Sequence, residues 1–263
     1  VLAGERERET EKAPEVELGE GTLIITPTYN ERANLEDFVE ATLGNAPRAH
    51  ILIVDDNSPD GTGELADELA ARDNRVRVLH RPSKLGLGTA YSAAFRQGLH
   101  ESYRFFFEMD ADLSHDPKYL PDFFRELATG ADVVIGSRNV PGGDIVGWGP
   151  GRHLLSKGGS LYSRVILGIA VRDLTSGYKA FTRRALEAIF AEPERIASNG
   201  YSFQIEMTYR ALRLGLNVRE VPIVFVDRRV GASKMDRKIV LEAVTKVWKL
   251  RLNGVLRTRK AGR

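Results

Sequence analysis

The chain has 263 residues, a formal net charge of +2 and no cysteine, which excludes disulfides, thiolate metal sites and cysteine nucleophiles and fits a reducing compartment. The near-neutral balance argues against a nucleic acid as partner, and a chain of this length with 42% hydrophobic residues can bury one large α/β core. No apolar run approaches the roughly 18 residues of a membrane span, so no spanning helix and no secretory leader are expected. Residues 1–21, with Gly4-Glu5-Arg6-Glu7-Arg8-Glu9 near the start, hold few apolar side chains and read as a disordered tail. Leu23-Ile24-Ile25 then forms a strand that runs into Pro27-Thr28-Tyr29-Asn30-Glu31, where Asn30 or Asn34 is available to cap a following helix. A second strand, Ile51-Leu52-Ile53-Val54, ends in Asp55-Asp56-Asn57-Ser58-Pro59-Asp60-Gly61-Thr62, and a third, Val76 to Leu79, leads to Arg81-Pro82-Ser83-Lys84. Each strand delivers polar residues at its carboxyl end, where open α/β sheets bind ligands.

A fourth strand begins at Phe105-Phe106-Phe107 and closes on Met109-Asp110-Ala111-Asp112. Successive side chains of an extended strand point to opposite faces, so Asp110 and Asp112 project the same way from the end of this buried strand. Paired carboxylates there suit a hard divalent ion whose remaining ligands are substrate phosphates; the alternative is a strand end followed by a turn capped at Asp116-Pro117. Two other patterns fail. Gly86-Leu87-Gly88 starts like a dinucleotide fingerprint, but Tyr91 is too large at its third position. Asp56 to Asp67 partly mimics a calcium loop, yet a strand precedes it. Further on, Leu154, Leu155, Leu161, Tyr162, Val165, Ile166 and Ile169 form an amphipathic segment that serves as core, as lipid groove, or as both. The last segment is basic, and Ile239 to about Leu252 has helical apolar spacing. That helix either packs on the domain with a solvated basic face or lies on anionic headgroups with Trp248 at the interface.

Four motifs, Pro27-Thr28-Tyr29-Asn30-Glu31, Val54 to Thr62, Asp110-Ala111-Asp112-Leu113-Ser114-His115 and Gly136-Ser137-Arg138, stand in the order and spacing of the family 2 GT-A glycosyltransferases. Gly147 to Arg152, Ser156-Lys157-Gly158, Arg172 to Lys179 and Gly231-Ala232-Ser233-Lys234 further resemble the polyprenyl (dolichyl) phosphate mannose synthases. The resemblance covers roughly residues 20 to 240, and it implies a mixed, mostly parallel Rossmann-like α/β sheet flanked by helices. It implies a domain over 22–235, and a basic amphipathic helix and tail over 236–263. It also implies inverting transfer of mannose from GDP-mannose to a polyprenyl phosphate with Mg²⁺ or Mn²⁺; a polyprenyl phosphate glucosyltransferase using a UDP-sugar and a non-catalytic binding subunit are the alternatives.

Site residues follow from the same resemblance. Asp110 and Asp112 would hold the metal, and Asp112, Arg138 and Arg152 would be catalytic. Pro27, Tyr29, Glu31, Val54, Asp56 and Ala111 would line the nucleotide pocket, joined by Asp110, Asp112, Arg138, Arg228 and Lys234; for Tyr29 and Val54 the alternative is core packing. Asp173 is assigned to the sugar hydroxyls. A lipid phosphate is already anionic and needs no general base, so His115 reads as a turn residue. Ser114 stands where some relatives carry Gln as a metal ligand. A lipid acceptor implies an enzyme peripheral at the cytoplasmic face of a membrane, docked directly or through a membrane-protein partner.

Overall fold

The computed structural model describes residues 18–191, 196, 200–227, 245 and 247–252, without the side chains of 150, 152–155, 200 and 201. The first half alternates strand and helix: β1 (Thr22–Thr28), α1 (Arg32–Asn45), β2 (His50–Asp55), α2 (Thr62–Arg72), β3 (Val76–His80), α3 (Leu87–Leu99) and β4 (Phe105–Glu108). After α4 (Leu120–Ala128) come β5 (Val133–Ser137), β6 (Asp144–Val146), α5 (Pro150–Leu167), β7 (Lys179–Thr182), α6 (Arg183–Ala191), α7 (Gly200–Arg213), β8 (Val218–Pro222) and β9 (Val224–Val226). Seven strands form one sheet in the order β3-β2-β1-β4-β7-β5-β8, and β6 and β9 form a small parallel pair. Only β7 runs antiparallel to its neighbours, which are β4 and β5.

Side-chain alternation explains why helices cover both faces. Leu23 and Ile25 of β1, Leu52 and Val54 of β2, and Phe106 of β4 join a core with α3, α6 and α7. Ile24, Ile51, Ile53 and Phe107 join a second core with α1, α2 and α4. Strands apolar on both sides must be buried on both sides, the condition that parallel sheets satisfy. Helix α3 sits close on the sheet because of Gly98: a Cβ there would lie 2.7 Å from both Leu23 Cδ2 and Phe106 Cε1.

The chain builds β1, β2 and β3 outward and then returns through α3 to lay β4 on the other side of β1. Connections therefore diverge between β1 and β4, and the crevice at the carboxyl ends of such a pair is where this architecture places its site. The strand carrying the triple phenylalanine stops at Glu108. Asp110 and Asp112 thus lie beyond β4, Asp112 in a turn, and not on one face of an extended strand; Leu113, next in the chain, adopts φ 59°. Segment 150–167 is one helix, in which Leu167 is buried while Leu161 and Val165 are exposed. Residues 247–252 are helical, with Val247 buried in the first core. Residues 1–17 of the expected tail, and 236–244 with Lys246 of the expected last helix, lie outside the described residues.

Candidate active site

Three residues other than glycine have positive φ among the described residues, Asn30, Asn57 and Leu113, and they follow β1, β2 and β4 respectively. Left-handed backbone is costly for an L-residue, most of all for leucine, and such strain concentrates at functional sites. Side-chain bonds hold these loops together. Asp55, buried at the end of β2, accepts from Thr28 Oγ1 at 3.1 Å and from Ser58 N and Oγ at 3.0 and 2.6 Å. Ser58 Oγ in turn accepts from Asn30 N at 3.1 Å. Thr62 Oγ1 accepts from Glu31 N at 3.0 Å and donates to Asp60.

On this frame Asp56 is buried beside Arg81, whose Nε lies 3.2 Å from Asp56 Oδ1. Burial raises the Asp56 carboxyl above its ordinary value, and the Arg81 charge and the amides of Leu85 and Gly86 oppose this. Tyr29 and Pro27 are half-buried, and Lys84 Nζ sits 4.1 Å above the Tyr29 ring. Glu31 accepts from Asn34 Nδ2 at 3.0 Å. Val54 is fully buried in the first core, where the alternation of β2 places its side chain against α3. Ala111 is likewise buried, in the second core.

The acidic turn is ordered by its own polar atoms. Asp112, almost fully buried, accepts from Ser114 N and Oγ at 3.1 and 2.6 Å. Asp110 is more exposed, and its backbone N–H donates to His115 Nδ1 at 3.0 Å. That bond leaves the ring proton on His115 Nε2. Burial lowers the His115 pKa below the ordinary value, and the ring stacks on Tyr178 at 5.1 Å, so it is a neutral support for the turn. No three His, Cys, Asp or Glu side chains come together as a metal cage among the described residues.

Arg138 and Asp173 form a buried pair. Arg138 Nε and Nη2 donate to the two carboxylate oxygens at 2.7 and 2.8 Å, and Nη2 also reaches Thr175 Oγ1 at 2.9 Å. Burial pushes the Asp173 carboxyl up, but the Arg138 charge and hydrogen bonds outweigh it and hold the group below its ordinary value. Asp173 is fully buried with both oxygens bonded to Arg138, which spends its Nε–Nη2 edge on this pair. The guanidinium lies 5.4 Å from the Phe225 ring centroid and 5.8 Å from that of Trp148.

Beneath the acidic turn, Glu108 of β4 pairs in register with Lys179 of β7. Both are buried; desolvation pushes Glu108 up to about 7 and Lys179 down to about 8. Lys179 Nζ donates to the Gln204 backbone oxygen at 3.1 Å and to its side-chain oxygen. Sequence reading placed Arg81 and Lys84 in a ligand-binding loop after the third strand but gave neither a role. It had no signal for Lys179 and Gln204, which meet only in the fold. Arg152 lies in the first turn of α5, but its side chain, like Arg228 and Lys234 altogether, is outside the described residues.

The chain is 48% identical over 254 residues to a polyprenol monophosphomannose synthase of Mycolicibacterium smegmatis, covering 95% of each chain. It is 49% identical over 225 residues to an undecaprenyl-phosphate mannosyltransferase of Micrococcus luteus, covering 86% of this chain and 91% of that one. In fold it resembles the glucosyl-3-phosphoglycerate synthase of Mycobacterium tuberculosis solved with Mn²⁺, uridine diphosphate and glucosyl-3-phosphoglycerate: TM-score 0.63, 20% identity, 88% of this chain and 80% of that one. Residues 23–190 match the model of glycosyl transferase family 2, and the chain belongs to that family.

Proposed function

We propose that this glycosyltransferase moves mannose, with inversion, from GDP-mannose to a polyprenyl (dolichyl-type) monophosphate, giving a β-linked product. The observation that carries this reading is the state of His115: its Nδ1 is spent on the acidic turn and it is buried, so it is not a free base beside Asp112. An acceptor hydroxyl would need such a base, whereas a lipid phosphate arrives ionised. The names of the two mannosyltransferase relatives support the same sugar and acceptor class.

Asp110 and Asp112 would hold Mg²⁺ or Mn²⁺. They fit one: two carboxylates two residues apart, one of them oriented by Ser114, leave the other coordination positions to phosphate oxygens and water, as hard divalent ions favour. When bound, the ion supplies Lewis-acid stabilisation to the departing diphosphate. Asp56 and Glu31 would accept hydrogen bonds from base or ribose, and Tyr29, steadied by Lys84, would pack on the base. Arg138 acts from behind, fixing residues 173–175. Arg152, Arg228 and Lys234 would share the phosphate charge.

The catalytic unit would span 22–235 between a tail, 1–21, and a basic helical segment, 236–263. No described helix is long and apolar enough to cross a membrane. Exposed Leu161, Val165, Trp248 and Leu252 supply an apolar face for peripheral docking at the cytoplasmic leaflet, unless a membrane-protein partner holds the enzyme there. Transfer assayed with polyprenyl phosphate and Mg²⁺ or Mn²⁺ should proceed from GDP-mannose and not from UDP-glucose. Faster transfer from UDP-glucose would replace the donor assignment, and no transfer from either would return the chain to a binding role.

A further inference from the structure

Strand β9 pairs with β6 outside the seven-stranded sheet, and three segments of the site meet on one of its side chains. The pairing sets Phe225 opposite Ile145, which is buried, while Val146 and Val226 are exposed. Alternation along the two strands therefore turns Phe225 inward. Its ring meets the His115 ring at 6.0 Å between centroids, with 69° between planes, and the Trp148 ring at 5.5 Å with 68°. The Arg138 guanidinium lies 5.4 Å from its centroid. Edge-to-face partners and a cation over the face are the neighbours that an aromatic quadrupole favours.

A hydrogen bond fixes the same strand. Val224 N donates to Tyr119 Oη at 2.9 Å, so β9 is held at His115 and at Tyr119, on either side of Asp116. Each segment gathered on Phe225 leads to a charge assigned to the reaction. His115 orders the turn of Asp110, Trp148 precedes Arg152 by four residues, and Arg228 follows β9 by two. Phe225 carries no group that reacts, so it acts through these neighbours.

We infer that Phe225 is a positioning residue for the transfer: its ring keeps the acidic turn, Arg138 and the segments leading to Arg152 and Arg228 in one alignment around the donor diphosphate. The inference rests on the proposed reaction for its kinetic test and on nucleotide binding alone for its spectroscopic one.

Phe225→Leu keeps an apolar side chain and removes the ring, whereas Phe225→Tyr keeps the ring. Displacing a reacting group by about 1 Å costs up to about a hundredfold in rate, so kcat should fall at least about tenfold in Phe225→Leu. Its Kd for GDP with Mg²⁺ should stay within about threefold, because the loops of β1 and β2 and the Ser114 bonds to Asp112 do not use the ring. Phe225→Tyr should restore kcat to within about threefold of wild type. Trp148 is one of two tryptophans, and Trp248→Phe leaves it as the sole indole. In that background GDP with Mg²⁺, or UDP with Mg²⁺ if that nucleotide binds instead, should shift the Trp148 emission. Adding Phe225→Leu should abolish the shift while the nucleotide still binds. If Phe225→Leu does not fold, Tyr119→Phe, which removes the Val224 bond, carries both tests, with a kcat loss of at least about threefold at unchanged nucleotide Kd and a smaller emission shift.

An unaltered kcat in the variant that carries the test, an equal loss in Phe225→Tyr, or parallel loss of nucleotide binding and kcat would overturn the inference. So would an emission shift that is absent from the Trp248→Phe protein or that persists undiminished in the variant. Absence of transfer from GDP-mannose by wild type, with an emission shift that depends on Phe225, would count against the proposed reaction alone.

Discussion

Asp112 illustrates how little of a site residue's environment its own motif reveals. The Asp-Ala-Asp pattern named the residue, while Ser114, which donates two hydrogen bonds to it, stood out only for replacing a Gln ligand of some relatives. Because asparagine keeps the oxygen that Ser114 bonds, Asp112→Asn should fold normally yet lose metal-dependent donor binding and transfer. Wild-type turnover would remove Asp112 from the site. Arg138 is the converse case, since its motif suggested a phosphate and its partner lay 35 residues away. Removing one member of a buried pair strands the other charge, so Arg138→Ala should cost about 3–5 kcal/mol of stability in denaturant titrations. The pH dependence has a definite sign. Asp173 has a depressed folded-state pKa. The pair's contribution is therefore complete above the unfolded value of about 3.9 and is lost as pH falls through the folded value. Wild type should lose stability steeply below about pH 4, and Arg138→Ala should do so less; parallel acid profiles would contradict the account.

At the level of elements, the strands were legible because apolar runs ending in polar clusters admit few other structures. The phase of the acidic motif was not, because a strand pattern cannot show that the ladder stops at Glu108 and that Leu113 turns left-handed. Nor could periodicity show which side of α5 is covered: Tyr162 and Ile166 pack on the core, while Leu161 and Val165 face outward. Close approach of α3 to the sheet gives a direct test. Gly98→Ala would force a methyl against Leu23 and Phe106, and overpacking of this kind costs about 1–3 kcal/mol. An unchanged thermal midpoint would show that α3 shifts freely. The last helix supplies another. Arg251 Nη1 donates to the Leu167 oxygen at the end of α5, and Trp248 and Lys249 are exposed. With each basic residue near an anionic surface worth about 1 kcal/mol, Lys249→Glu should weaken binding to anionic vesicles several-fold, and more at low salt. If vesicle binding is indifferent to Lys249 and to Trp248→Ser, that surface does not dock.

Taken whole, the molecule gathers its site from loops on both sides of one switch point, which the sequence conveyed through four separated motifs. What joins the halves was not conveyed: Arg138 with Asp173, Lys179 with Gln204, and Asp56 with Arg81 are contacts that only topology brings about. Topology also decides when they form. Strand β7 is all that links β4 to β5 in the sheet, and Phe106 and Phe107 stand opposite Phe181 and Ala180. Until residue 182 has left the ribosome, β4 is therefore an open edge bearing three consecutive phenylalanines, the kind of surface that recruits other chains. A chain stopped at residue 175 should form light-scattering aggregates, whereas one stopped at 227 should remain largely dispersed; a dispersed shorter chain would refute this. Newly made protein thus passes through an interval in which it is far stickier than the finished enzyme, and translation that stalls between β4 and β7 would prolong that interval.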